Sequence, residues 1–231
     1  MVEHAIDGFT AAQIAGSGFT SQRTRDRMVT RLEQDAGIRN ELVLHAMRYV
    51  PRHLFVEAPL AHRSYEDAAL PIGFGQTISH PHAVARLLEL LLENGVPRRV
   101  LDIGTGSGYL AALLAALPGC EEVTTVEVVA GLHHRAKHTL AKLGMVNVRC
   151  VLGDGGKGEA EKYDRIVCSC TMPSAAPLTQ QLSRSGVLVT PVQNGDQQQL
   201  VRIRKSANGH IEEEVLHAAR FVPYLTTTTD A

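Results

Sequence analysis

A chain of 231 residues with 23 basic and 24 acidic side chains, and no Lys/Arg block interleaved with aromatics, lacks the electrostatic footprint of a nucleic-acid binder. Its longest apolar stretches, Leu110 to Leu117 and Leu87 to Leu92, fall far short of the roughly 20 residues that cross a bilayer, and Glu3, His4 and Asp7 stand where a secretory signal needs positive charge and then an apolar block. The expectation is one large domain, or one domain with a helical extension, acting in the cytoplasm as a monomer on a small or peptide-like partner, with no nucleic acid and no membrane.

Residues 1–22, rich in Gly, Ala, Ser and Thr without a period, read as a flexible or loosely docked arm. Met28, Val29, Leu32 and Ala36, then Leu42, Val43, Ala46, Met47 and Val50 recur at helical spacing on either side of Gly37 and predict two short helices before Pro51. Tyr65 to Ser79 carries Pro71, Gly73 and Gly75 with no sustained period. It reads as a loop, and a loop of that length inside a compact domain is usually functional. Residues 23–80 are thus helices plus an active-site loop. Helix resumes at Pro81, a residue favoured in the first turn, on the stripe Val84, Leu87, Leu88 and Leu91, and ends at Gly95 and Pro97.

From Arg99 onward β-like runs alternate with helical ones: Val100 to Ile103 and Tyr109 to Leu117, Val123 to Val126 and Leu132 to Leu143, then Val146 to Leu152 and a Gly-rich loop. Further strands are expected over Asp164 to Ser169, Val187 to Val192, Leu200 to Arg204 and Glu214 to Val222. This alternation implies a parallel sheet covered on both faces, so residues 81–225 read as a doubly wound α/β core. Residues 226–231 form a Thr-rich tail expected to be disordered. Cys120, Cys150, Cys168 and Cys170 make no metal-type C-x-x-C pair and read as reduced thiols in or beside strands.

The first core strand runs into Gly104-Thr105-Gly106-Ser107-Gly108 and straight on into a helix. Glycines there let a ligand press on the backbone at the carboxyl edge of the sheet, where open α/β sheets bind ligands. The dinucleotide fingerprint G-x-G-x-x-G is broken, because the third glycine comes one position early. Asp102 just before the turn would repel a pyrophosphate but pair with the ammonium group of a methionine moiety, so charge favours S-adenosylmethionine over NAD. Glu127, ending the second strand, is placed to accept from both ribose hydroxyls, and Asp154 between Gly153 and Gly155 can accept from an adenine amino group. As a bland alternative, the last trio is an ordinary turn. His134 and His138 lie one helical turn apart and His80 and His82 flank Pro81, but no third ligand has a convincing spacing. No metal is expected, and His133, His134 and His138 read as a solvated helix face.

Ser64-Tyr65-Glu66-Asp67, Ala69-Leu70-Pro71-Ile72-Gly73 and Gly75-Gln76-Thr77-Ile78-Ser79, in that order, resemble the signature loop of the protein-L-isoaspartate O-methyltransferases. The likeness extends from Thr20-Ser21-Gln22-Arg23-Thr24-Arg25 through Val50-Pro51-Arg52-His53-Leu54-Phe55-Val56 and both glycine turns to Phe221-Val222-Pro223. It implies a Rossmann-like class I methyltransferase sheet with an N-terminal helical extension. It also implies methyl transfer from S-adenosylmethionine to the α-carboxylate of isoaspartyl residues, leaving S-adenosylhomocysteine. The ester then collapses to a succinimide that can reopen to aspartate. On this resemblance Ser79 is the active-site residue, Thr77 to Ser79 (with Ile78) lie between cofactor and substrate, Gly104, Gly106, Ser107 and Gly155 complete the cofactor set, and the backbone near Val222 helps hold the peptide.

Ser79 also precedes His80-Pro81, where a helix N-cap is expected, so capping competes with catalysis as its role. Two features depart from the family pattern: Cys168-Ser169-Cys170-Thr171-Met172-Pro173 replaces an Ala-rich, Thr-containing segment, and Gly156-Lys157-Gly158 lacks the usual tryptophan. Three other readings stay open. They are a divergent paralogue methylating another carboxylate, such as an ordinary aspartate in a dedicated peptide; a non-catalytic adenosyl-binding module; and a dehydrogenase.

Overall fold

The computed structural model describes residues 8–157 and 162–226; the first seven residues of the arm and the tail beyond Thr226 lie outside them. Thr10 and Gln13 form a reciprocal capping box at the start of α1 (Ala11–Ala15). Hydrogen bonds fix this part of the arm: Arg25 donates to the Ile14 carbonyl at 3.2 Å, and His53 Nε2 lies 2.8 Å from the Gln13 carbonyl. Ser21 caps α2 (Gln22–Gln34), and Asn40 caps α3 (Glu41–Tyr49) by accepting from the Leu42 and Val43 amides. Met28, Val29 and Leu32 of α2 and Val43, Leu44, Ala46 and Met47 of α3 are buried, as the spacing of the apolar residues predicts.

Within the stretch read as a loop, β1 (Leu70–Gly73) and β2 (Gln76–Ile78) pair antiparallel as a small hairpin. Phe74 and Gly75 at its tip have φ of 54° and 69°, the positive values that tight hairpin turns require. Strands of four and three residues are too short to show alternation, and Pro71 argued against a strand. Arg135 anchors the hairpin: it donates to the Ile72 carbonyl, pairs with Glu57 at 2.6 Å and covers the Phe74 ring.

After α4 (Pro81–Leu91) the chain enters the alternating core. It runs β3 (Arg99–Ile103), α5 (Tyr109–Ala115), β4 (Glu122–Glu127), α6 (Ala130–Lys142), β5 (Val148–Leu152), β6 (Tyr163–Cys168), α7 (Ala176–Gln181), β7 (Leu182–Asn194), β8 (Gln197–Lys205) and β9 (Ile211–Ala219). The sheet order is β5-β4-β3-β6-β7-β8-β9, parallel from β5 to β7 and antiparallel for the last two pairings. The chain therefore moves outward from β3 to β5 and crosses back to β6, leaving a topological switch point at β3, where ligands of such sheets bind.

Period-two alternation splits the core into two layers. Val100, Val167, Val187 and Val189 join the larger cluster with residues of α2 to α6, and Leu101, Ile166 and Leu188 join the smaller one with Leu178 of α7. The last strand ends at Ala219, earlier than the expected Val222. Phe221 to Tyr224 leave the sheet as a strap beside Thr171: the Thr171 amide donates to the Val222 carbonyl at 2.8 Å and the Tyr224 amide to the Thr171 carbonyl at 3.0 Å. No helix among the described residues is long and apolar enough to cross a membrane.

Candidate active site

A cleft opens at the carboxyl ends of β3 and β4, where open α/β sheets bind ligands. It is lined by Thr77, Ile78 and Ser79 from the hairpin, by Gly104 to Ser107 from the glycine turn, by Glu127, Gly153 and Gly155, by Ser169 and Cys170, and by Val222 to Leu225 from the strap. The switch-point topology thus gathers nine of the eleven residues expected at the site, from five separate parts of the chain. Asp102 and Asp154 stand behind the wall.

Gly104 has φ of 89°, and a Cβ there would meet the Ser169 hydroxyl at 3.3 Å and the Cys170 sulfur at 3.4 Å. At Gly155 a Cβ would lie 3.1 Å from Ile103 and 3.2 Å from Val126. A side chain at either position would strain the turn or crowd the strand ends, so glycine keeps the backbone itself as the wall of the cleft.

Glu127 is held by backbone. One carboxylate oxygen accepts from the Gly106 amide at 2.8 Å, and the other accepts from the Val128 and Val129 amides at 3.0 Å each. The carboxylate therefore braces the glycine turn against the start of α6, and lone pairs remain for a ligand's hydroxyls.

Asp102 is fully buried. Thr125 donates to its Oδ2 at 2.8 Å, the Thr125 and Thr105 hydroxyls are 2.6 Å apart, and Oδ1 has no partner among the described residues. Burial raises its pKa to about 7, with the Thr125 hydrogen bond opposing and the Glu127 charge adding to the shift. With Asp102 ionised, Thr125 donates to it and Thr105 donates to Thr125. That order leaves Thr105, on the cleft wall, with an oxygen able to accept from a cation. Asp102 is thus linked to the cleft wall through two hydroxyls, Thr125 and then Thr105.

Asp154 is nearly enclosed. Its Oδ1 accepts from the Gly156 amide at 3.0 Å and from the Tyr224 hydroxyl, while Lys157 lies 3.7 Å from Oδ2. The N-cap of α4 is His80, not Ser79. The half-buried Ser79 hydroxyl has no hydrogen-bond partner among the described residues, so the competing capping role is not the one it plays.

His133 is buried at 7 % exposure, which corrects its reading as part of a solvated face; His134 and His138 are exposed. The helical period puts residue 133 on the face of Leu132 and Ala136, toward the sheet. Burial lowers its pKa, with His134 and Lys137 adding to the shift.

The sequence profile of the protein-L-isoaspartate(D-aspartate) O-methyltransferases matches residues 23–229. Protein-L-isoaspartate O-methyltransferases of Alcanivorax borkumensis and Xanthomonas euvesicatoria are 46% and 49% identical to the chain over 215 and 218 residues, covering 92% and 93% of it and 96% and 95% of the relatives. The chain belongs to this family. Among solved structures, a Plasmodium falciparum protein assigned as a protein-L-isoaspartate O-methyltransferase, in complex with S-adenosyl-L-homocysteine, superposes with a TM-score of 0.74 at 21% identity over 88% of this chain and 99% of that one. A second protein-L-isoaspartate O-methyltransferase gives a TM-score of 0.77 at 24% identity, covering 88% of this chain and 67% of its own. The Rossmann-like methyltransferase fold, the enzyme class and the S-adenosylmethionine donor read from the sequence are those of the protein-L-isoaspartate O-methyltransferase family.

Sequence reasoning left Thr105, Ser169, Cys170 and Tyr224 out of the cleft. Thr105 lies inside the glycine turn, and Ser169-Cys170 falls in the segment that departs from the family pattern. Nothing in the spacing of Tyr224, 70 residues from Asp154, points to their contact.

Proposed function

We propose that this enzyme transfers a methyl group from S-adenosylmethionine to the α-carboxylate of L-isoaspartyl residues in aged proteins and peptides, acting as a cytoplasmic monomer. The ester then closes to a succinimide that reopens to aspartate. The observation that carries this reading is the Ser79 hydroxyl, without a hydrogen-bond partner among the described residues, lining the same cleft as the glycine turn and Glu127.

The residues present suit the donor. Glu127 is the acceptor for the two ribose hydroxyls, Asp154 the acceptor for the adenine amino group, and the Thr105 relay to Asp102 the partner of the methionine ammonium. Thr77, Ile78, Gly104, Gly106, Ser107 and Gly155 form the walls against which the group lies. When bound, S-adenosylmethionine supplies a methyl group already activated on a positive sulfonium.

The chain's own residues have little else to do chemically. An acceptor carboxylate with a pKa near 4 is ionised at neutral pH, so no base is required to make the nucleophile. The cleft lining accords with this, since among the described residues it holds no Lys, Arg or His. Ser79 orients the acceptor by donating one hydrogen bond to a carboxylate oxygen. The Val222 amide, which has no partner among the described residues, is free to donate to the peptide backbone. Ile78, Val84, Leu110, Pro223 and Leu225 keep the cleft apolar around these groups; excluding water favours a step in which opposite charges cancel.

The test is incubation with labelled S-adenosylmethionine and paired peptides differing only in Asp or isoAsp at one position. Label on the isoAsp peptide alone is the expected result. Label on the Asp peptide would make the enzyme a paralogue with another acceptor, and label on neither would reduce it to an adenosyl-binding module.

A further inference from the structure

Tyr224 connects two segments that the chemistry needs together. Its hydroxyl donates to Asp154 Oδ1 and accepts from the Gly156 amide at 2.8 Å. Its backbone belongs to the strap that carries Val222, tied to Thr171 on one side and to Gln198 on the other: the Gln198 side chain accepts from the Phe221 amide at 2.6 Å and donates to the Phe221 carbonyl at 3.1 Å. The approach of the phenol depends on Gly156, where a Cβ would fall 2.3 Å from the Tyr224 oxygen. Among the described residues, one short 3₁₀ turn, Gly155–Lys157, gives the Asp154 loop its regular structure, and the strap has none beyond an isolated bridge.

From this geometry we infer that Tyr224 is a positioning residue that couples donor and peptide binding. Two irregular segments joined by one hydroxyl are ordered together. A donor settled against Asp154 fixes the strap, and a peptide held along Val222 fixes the Asp154 carboxylate, with Oδ1 occupied by Tyr224 and Oδ2, 3.7 Å from Lys157, left as the oxygen for the adenine. Whichever ligand arrives first meets the ordering cost, and the second binds more tightly. Linkage makes the effect reciprocal. The inference rests on the proposed function for the identity of the second ligand.

Isothermal titration of S-adenosylhomocysteine, alone and with a saturating isoaspartyl peptide, tests it in wild type, Tyr224→Phe and Gly156→Ala. In wild type the peptide tightens S-adenosylhomocysteine binding by about fivefold or more. Tyr224→Phe keeps the ring and removes only the hydroxyl; it should weaken S-adenosylhomocysteine alone by about 3- to 10-fold and abolish the coupling, with an unchanged melting temperature. Gly156→Ala, which pushes the phenol away by a different route, should also abolish it. Wild-type methylation of the isoAsp peptide is measured alongside. Transfer without coupling, or coupling that survives Tyr224→Phe, overturns the inference and leaves the function standing. Absence of transfer removes the function, and the inference with it.

Discussion

Thr125 donates a 2.8 Å hydrogen bond to one carboxylate oxygen of Asp102, while the other oxygen is buried without a partner among the described residues. A half-satisfied buried carboxylate is costly when ionised, which is why its pKa rises from 3.8 to about 7. Between those values the folded protein holds a proton that the unfolded chain has released. The stability contributed at this site is therefore fully present below the unfolded value and is lost as the pH climbs through about 7. Asp102→Asn should flatten that limb of the stability profile, an effect on the order of 4 kcal/mol, read by urea denaturation at several pH values. Calorimetry in buffers of different ionisation enthalpy should also show proton release on S-adenosylhomocysteine binding below neutral pH, and none in the variant. Equal pH profiles for the two proteins would remove Asp102 from this role.

Ser79→Ala should lower turnover by about 10- to 100-fold, the worth of one hydrogen bond to a charged acceptor. Affinity for S-adenosylhomocysteine should stay within about twofold, because no contact of the proposed donor set passes through this hydroxyl. Single-turnover assays with an isoAsp peptide, paired with calorimetry, separate the two effects. Unchanged turnover would leave Ser79 a bystander, since His80 already holds the cap position.

Glu127→Gln should be worse than its size suggests. An amide cannot accept at both positions, so one face would set N–H against the Gly106 amide or against the paired Val128 and Val129 amides. S-adenosylhomocysteine affinity should fall by at least about tenfold and stability by about 1 to 3 kcal/mol. Retained affinity in titration calorimetry would contradict the brace described for this residue.

The β-hairpin lies over α6 at a point where only glycine fits. A Cβ at Gly131 would come within 2.3 Å of the Phe74 ring. In a helix Gly→Ala ordinarily stabilises by about 1 kcal/mol; here Gly131→Ala should instead displace the hairpin and raise the peptide KM, through misplacement of Thr77 to Ser79. An unchanged KM with a higher melting temperature would show that the hairpin tolerates the shift.

How much of this was legible beforehand follows the length of the signals. The helices of the N-terminal extension and the βα alternation are carried by apolar periods long enough to recognise, and the glycine turn together with Glu127 marks the sheet edge before any coordinates. Strands β1 and β2 are too short to alternate, so the hairpin carrying Ser79 looked like a loop. Leu216 packs against the larger core and Ala218 and Ala219 pair with β8, and the one local signal in Phe221 to Tyr224, Pro223, stops a strand without showing that the chain leaves the sheet as early as Ala219. That exit is decided by Gln198 and Thr171, which are distant in sequence. The role of Asp102 was read from its charge alone; its burial, and hence the two intervening hydroxyls, is a property of packing that one strand cannot display.

Apart from Thr77 and Ile78, the groups assigned to the donor stand on or directly after the ends of parallel strands, whereas Ser79 and Val222 ride on a hairpin and a strap that hang outside the sheet. Loops outside a framework accept sequence change far more readily than the framework does. Acceptor choice can therefore drift, or be re-engineered by exchanging those two peripheral pieces between homologues, while the strand-end apparatus for the methyl donor is inherited unaltered so long as Thr77, Ile78 and Tyr224 are kept.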